Sequence, residues 1–137
     1  MSLAACNATG GFAYRFDGFH GPVNGYAASQ VCTATVQRDA SGNWTLSRFY
    51  FNSLNDDDNQ MVAADLTLDS GPVVTLAPED DAPTTRISAT ECTRFDVRGS
   101  IDAQRKVHAL IDLDCHPTSS GHVRGRASSE DCSVSTQ

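Results

Sequence analysis

Apolar and polar residues alternate with a period of two along most of the chain. Phe12, Tyr14 and Phe16 oppose Ala13, Arg15 and Asp17 between Gly11 and Phe19, and Cys32, Ala34 and Val36 oppose Thr33, Thr35 and Gln37 between Gln30 and Arg38. A strand with one face in a core and one in water has this period. The pattern recurs over Gln60 to Asp69 (Val62, Ala64, Leu66 and Leu68 inside), Cys92 to Ile101 (Phe95 and Val97 inside) and Lys106 to Cys115 (Val107, Ala109, Ile111 and Leu113 inside). Asn43 to Asn52, Val73 to Ala77, Arg86 to Thr90 and His122 to Cys132 complete the set, with Trp44, Leu46 and Tyr50 expected on one strand face. Asp39-Ala40-Ser41-Gly42, His20 to Gly25 and Ser70-Gly71-Pro72 punctuate these runs as turns. No segment has helical spacing. The expected fold is therefore all-β, an antiparallel β-sandwich of about eight or nine short strands, with an up-and-down β-barrel as the alternative.

Composition agrees with this class. There are 14 Asp against 3 Glu and a single Lys, so strong helix formers are scarce and turn formers abundant. At 137 residues the chain has room for one core. The expected division is residues 1–10 as an N-terminal anchor or cloning-derived segment, 11–132 as one all-β domain and 133–137 as a frayed tail. A net charge of -7 gives the wrong sign of field for nucleic acid. No apolar run reaches the roughly 20 residues needed to span a bilayer as a helix.

Leu3-Ala4-Ala5-Cys6 resembles the lipobox of bacterial lipoproteins, in which the cysteine is lipidated, and Cys6 is the lipidation candidate. Setting it aside leaves Cys32, Cys92, Cys115 and Cys132, an even number that suits two disulfides in an oxidising compartment. If Asp102 to Arg105 is a four-residue loop, facing residues on its two strands sum to 207 and Cys92 lies opposite Cys115. Cys32 and Cys132 are then the remaining pair. The long spacings and the lack of a C-x-x-C pair exclude a zinc ribbon or thioredoxin-like redox motif.

Chemistry-bearing residues are few. Asp114 and His116 share the outward face of one strand, and a turn through Pro117 to Gly121 brings His122 across from His116, which makes a metal-ligand set with no established spacing motif. The competing reading is a solvated hairpin tip without tight metal binding. His108 shares that face with Asp112 and Asp114, but no nucleophile is identifiable and Gly-x-Ser-x-Gly is absent, so no catalytic residue is assigned. Asp56 and Asp58 with Asp80 and Asp81, backed by Glu79, offer a cross-loop calcium site that lacks EF-hand spacing. Trp44, Tyr50 and Tyr26 offer an aromatic platform for a sugar.

Together these features lead to an expectation of a secreted or surface-anchored bacterial, lipoprotein-like β-domain with a binding or structural accessory role. Its location would be extracytoplasmic: the periplasm, outer membrane or cell surface. The partner would be a protein, a glycan or a small molecule, with no cofactor, no nucleic acid, and membrane contact only through a lipid anchor. Two alternatives stand beside it: a lipocalin-like barrel carrying a small apolar ligand, and a metal-assisted hydrolase.

Overall fold

A computed structural model describes residues 2–18, 21–53, 61–77, 84–117 and 121–133. These residues form eleven strands: β1 (Ser2–Asn7), β2 (Thr9–Gly18), β3 (Gly21–Ala28), β4 (Val31–Arg38), β5 (Trp44–Asn52), β6 (Met61–Asp65), β7 (Val73–Ala77), β8 (Thr85–Ile87), β9 (Cys92–Ile101), β10 (Lys106–Cys115) and β11 (His122–Ser133). A single turn of 3-10 helix, Ala89–Glu91, precedes β9. All pairings are antiparallel. One sheet has the order β1-β4-β5-β6-β7-β8 and the other β3-β2-β11-β10-β9. Among the described residues both sheets end in unpaired edges, so the fold is the expected sandwich and the closed-barrel alternative is set aside.

The chain crosses between sheets three times, from β1 to β2, from β3 to β4 and, through the 3-10 turn, from β8 to β9; the first two crossings share one corner. β1 runs into β2 at Ala8, and β3 runs into β4 at Ser29 and Gln30. The Ala8 N–H donates to Gln30 O (2.9 Å) and the Ser29 N–H to Gly10 O (3.0 Å), which carries one ladder around the bend. Gly10 takes φ +112° there, a conformation that side chains oppose. Strands that change sheets through such irregularities are the usual way to build a sandwich corner.

Side chains alternate into the space between the sheets as their period requires. Phe12, Phe49, Phe51, Leu76, Ile111 and Leu113 are fully buried there. Gly99 of β9 leaves room for Leu66 and for Leu46 and Phe49 of the opposite sheet. A Cβ at Gly99 would come within 2.8 Å of all three side chains.

Several expectations are corrected. Within residues 1–10, read as an anchor or cloning-derived segment outside the domain, Ser2–Asn7 form β1 and Thr9 and Gly10 begin β2, and β3 lies where Gly, Pro and Asn had suggested a turn. Because β3 is an edge strand, Pro22 is tolerated in it. The β6 strand ends at Asp65, so Leu66 packs against the core but Leu68 is exposed. In β5 a bulge lies opposite Thr35 and Val36, so that Leu46 and Phe49 both pack inward although their numbers differ in parity.

The β9–β10 hairpin also departs from its expected register. The Asp102 N–H donates to Lys106 O and the Arg105 N–H to Asp102 O, with Arg105 at φ 61°; the connection is therefore three residues long, and Ile101 faces Val107. Facing residues then sum to 208, which would put Cys92 and Cys115 one position out of step. A bulge at Thr93 absorbs the extra residue, so Arg94 pairs with Asp114 and Cys92 with Cys115.

Candidate functional site

The outer face of the five-stranded sheet gathers most of the polar chemistry. Alternation on β2, β9 and β11 turns Arg15, Arg94, Arg98, Arg124 and Arg126 outward, five of the nine arginines in a chain of net charge -7. Between them β10 presents His108, Leu110, Asp112 and Asp114. Two guanidiniums are already engaged: Arg94 Nε donates to Asp112 Oδ1 at 2.7 Å, and Arg98 holds Asp96 through Nε and Nη2 at 2.8 and 2.9 Å. Arg126 has no ion pair among the described residues. Arg98, Ser100, His108, Leu110, Arg126, Ser128 and Glu130 line a groove of about 250 Å³ across this face.

At one end of the same face lies the His/Asp cluster. Asp114 lies near the end of β10 and His116 just beyond it, two positions apart, and β11 begins with His122 just before the Cys115–Val123 pair. His122 Nε2 donates to Asp114 Oδ1 at 2.8 Å, and this bond is the main reason the Asp114 carboxyl titrates below its usual range. His116 Nδ1 donates to Gly121 O at 3.1 Å. The two imidazoles stack, with centroids 4.5 Å apart and planes 5° from parallel. Ligand atoms of all three residues lie within 4.8 Å of one another, so the set anticipated from hairpin geometry is assembled.

The backbone beneath this cluster is tied down. Cys115, next to His116, is at bonding distance from Cys92. The His116 N–H donates to Glu91 O at 2.8 Å, and Thr93 Oγ1, at the bulge, donates to Asp114 O at 3.2 Å. Ser88 and Glu91 cap the 3-10 turn reciprocally and fix that support.

His108 does not meet Asp112 or Asp114. It donates from Nε2 to Asp102 Oδ2 (3.0 Å), while the Gln104 and Lys106 N–H groups donate to Asp102 Oδ1. The His108 bond, then the Lys106 N–H, hold the Asp102 carboxyl below the usual aspartate range; the Thr67 N–H, then its hydroxyl, do the same for Asp65. A carboxyl whose folded pKa lies below its unfolded value of about 3.9 adds stability above that value and loses it as pH falls through the folded pKa. The urea midpoint should therefore drop on acidification below about pH 4, and an Asp65→Asn, Asp102→Asn double variant should show a shallower drop. An unchanged acid limb would remove these two carboxylates from the account.

The aromatic platform is not assembled. Tyr26 stands on the outer face of the second sheet with its ring over Gly11, whereas Trp44 and Tyr50 belong to the first sheet. Trp44 packs on the core under the Arg38 guanidinium, 4.8 Å from the ring centroid. The calcium candidates Asp56, Asp58, Asp80 and Asp81 lie outside the described residues.

The cysteines rearrange the expected pairing. Cys132 of β11 lies at bonding distance from Cys6 of β1, with Cα atoms 5.2 Å apart, so this bridge joins the two sheets where Ser129 Oγ also donates to Asn7 O at 2.8 Å. Cys32, expected as the partner of Cys132, is a buried free thiol directly across the ladder from Cys6, and burial pushes its pKa up to about 12. Elimination failed here because it reserved Cys6 for lipid. Cys92 and Cys115 pair as expected.

Comparison with protein-family models, with curated proteins and with solved structures finds no match, so function is argued from this geometry alone.

Proposed function

We propose that the chain is an extracytoplasmic bacterial β-sandwich that works by binding, without catalysis, through the outer face of its five-stranded sheet. The observation that supports this reading is the groove between Arg98 and Arg126 on a face rich in arginine, in a chain that is acidic elsewhere. Guanidinium groups with flanking Ser hydroxyls suit an acidic glycan, whose carboxylates or sulfates accept paired N–H donors. Two cysteine pairs at disulfide distance favour an oxidising compartment. The metal-assisted hydrolase alternative would draw its nucleophile from a water bound to a metal at Asp114, His116 and His122, and therefore depends on metal binding there. The lipocalin-like alternative rests on a closed barrel, which two open sheets do not form.

Surface anchoring through Cys6 is a second reading, carried by the lipobox resemblance. One sulfur cannot hold both a lipid and Cys132, so palmitate labelling and the Cys6–Cys132 peptide should be mutually exclusive. An array of acidic and neutral glycans tests the binding proposal. Acidic glycans should be retained by the wild type and lost by an Arg98→Ala, Arg126→Ala double variant. Equal retention by both proteins, or retention of neutral glycans only, would sink it.

A further inference from the structure

We propose that Asp114, His116 and His122 bind a divalent transition-metal ion, zinc(II) or copper(II), at the end of the β10–β11 hairpin. A donor near the end of β10, a second just beyond that end and a third at the start of β11 form a compact tripod at the hairpin end. Here all three ligand atoms lie within 4.8 Å of one another. Two imidazoles and a carboxylate suit zinc or copper, whereas calcium and magnesium require sites made of oxygen ligands. Three protein donors also leave coordination positions open to solvent.

Ligands on a free hairpin tip would bind weakly, because their ordering opposes binding. These are not free. His116 follows a cysteine at bonding distance from Cys92, its N–H is held by Glu91 O, and the Asp114 carbonyl is held by Thr93. The Gly121 carbonyl accepts the Nδ1 proton of His116, and that choice of tautomer leaves the Nε2 lone pair for a metal. His122 now donates its Nε2 proton to Asp114. On metal binding His122 exchanges that proton through solvent and carries its single ring proton on Nδ1 instead, so the imidazole stays neutral and the ion lies between its Nε2 lone pair and the carboxylate oxygen.

Parallel rings do not aim their in-plane lone pairs at one point, so the stack must open. Rotation of His122 about its Cβ–Cγ bond, a broad torsion, brings the donors toward the roughly 3.3 Å separation that metal–nitrogen bonds of about 2.0–2.1 Å require. Arg94 and Arg124 flank Asp114 and oppose the incoming charge. They lower affinity without removing a ligand.

The test uses the full chain without an affinity tag. Zinc titrated calorimetrically should bind with one saturable equivalent and raise the melting temperature, and copper(II) should give an electron paramagnetic resonance spectrum with nitrogen couplings from imidazole. His116→Ala and His122→Ala should each abolish these signals, with far-ultraviolet circular dichroism unchanged, while His108→Ala should leave them intact. Cys92→Ala with Cys115→Ala, which loosens the support but keeps every ligand, should weaken binding about 10- to 100-fold. Absence of saturable binding by either ion, or one equivalent that survives in the His116→Ala, His122→Ala double variant, would overturn the assignment.

Discussion

Replacing Cys6 and Cys132 together by alanine is expected to lower stability by about 3 to 5 kcal/mol, which would rank it among the most damaging changes to this fold. The bridge joins strands of different sheets and closes a loop across a sequence separation of 126, so its loss releases almost the whole unfolded chain from one constraint. The single Cys132→Ala variant should fall less. Cys6 and Cys32 face one another across the β1–β4 ladder, and directly opposed residues are within disulfide reach. With Cys132 gone, oxidation should join Cys6 to Cys32, closing a far shorter loop within one sheet. Urea unfolding of the three proteins, with nonreducing peptide mapping, reads both effects. In the wild type, Cys32 should resist alkylation until the protein unfolds, because a buried thiol with its pKa pushed up to about 12 supplies almost no thiolate at neutral pH. Rapid labelling of Cys32 in native protein, or recovery of a Cys32–Cys132 peptide, would contradict this arrangement.

Strands were legible wherever one face is buried, because burial writes a period of two into the chain: Cys32, Ala34 and Val36, or Val107 through Leu113, show it without interruption. The two strands that escaped notice carry weak versions of that pattern. β1 is short and resembles a lipid-attachment sequence, and β3 is an edge strand in which Gly25 leaves space for the Tyr14 ring, so small residues do the work that large apolar ones do elsewhere. Register was less legible than strand identity. The three-residue loop at Ala103 to Arg105 and the bulge at Thr93 each shift it by one, and their effects cancel at Cys92 and Cys115. The bulge in β5 had no such partner, so the expected common face of Trp44 and Tyr50 failed. The convergence of Asp114, His116 and His122 was readable because the three lie close in sequence at one hairpin end. The arginine face was not, since Arg15, Arg94, Arg98, Arg124 and Arg126 come together only through the order β2-β11-β10-β9.

Gly10→Ala is expected to be as damaging as loss of the inter-sheet bridge, at about 3 to 5 kcal/mol, because two independent penalties coincide. Its φ of +112° is one that side chains rarely adopt, which alone costs about 1–3 kcal/mol. A Cβ would also sit 1.9 Å from the Arg126 carbonyl oxygen and 2.9 Å from the Ala127 Cα, both backbone atoms of β11 that cannot yield without opening the β2–β11 ladder; overpacking of that kind adds about 1–3 kcal/mol. Gly42 separates the two contributions. It has φ +83° in the β4–β5 turn with nothing within 4 Å of its Cβ position, so Gly42→Ala should lose only the backbone share, about 1–2 kcal/mol. The difference between the two variants in urea unfolding then measures how tightly the corner is packed. A second consequence follows from position, since Gly10 lies at the bend that carries Cys6 of β1 toward Cys132 of β11. A Gly10→Ala protein folded under oxidising conditions should shift part of its Cys6 from Cys132 to Cys32, visible by nonreducing peptide mapping. Equal losses for Gly10→Ala and Gly42→Ala, with the disulfide pattern unchanged, would mean that β2 and β11 do not approach as closely at this corner as the Arg126 carbonyl requires.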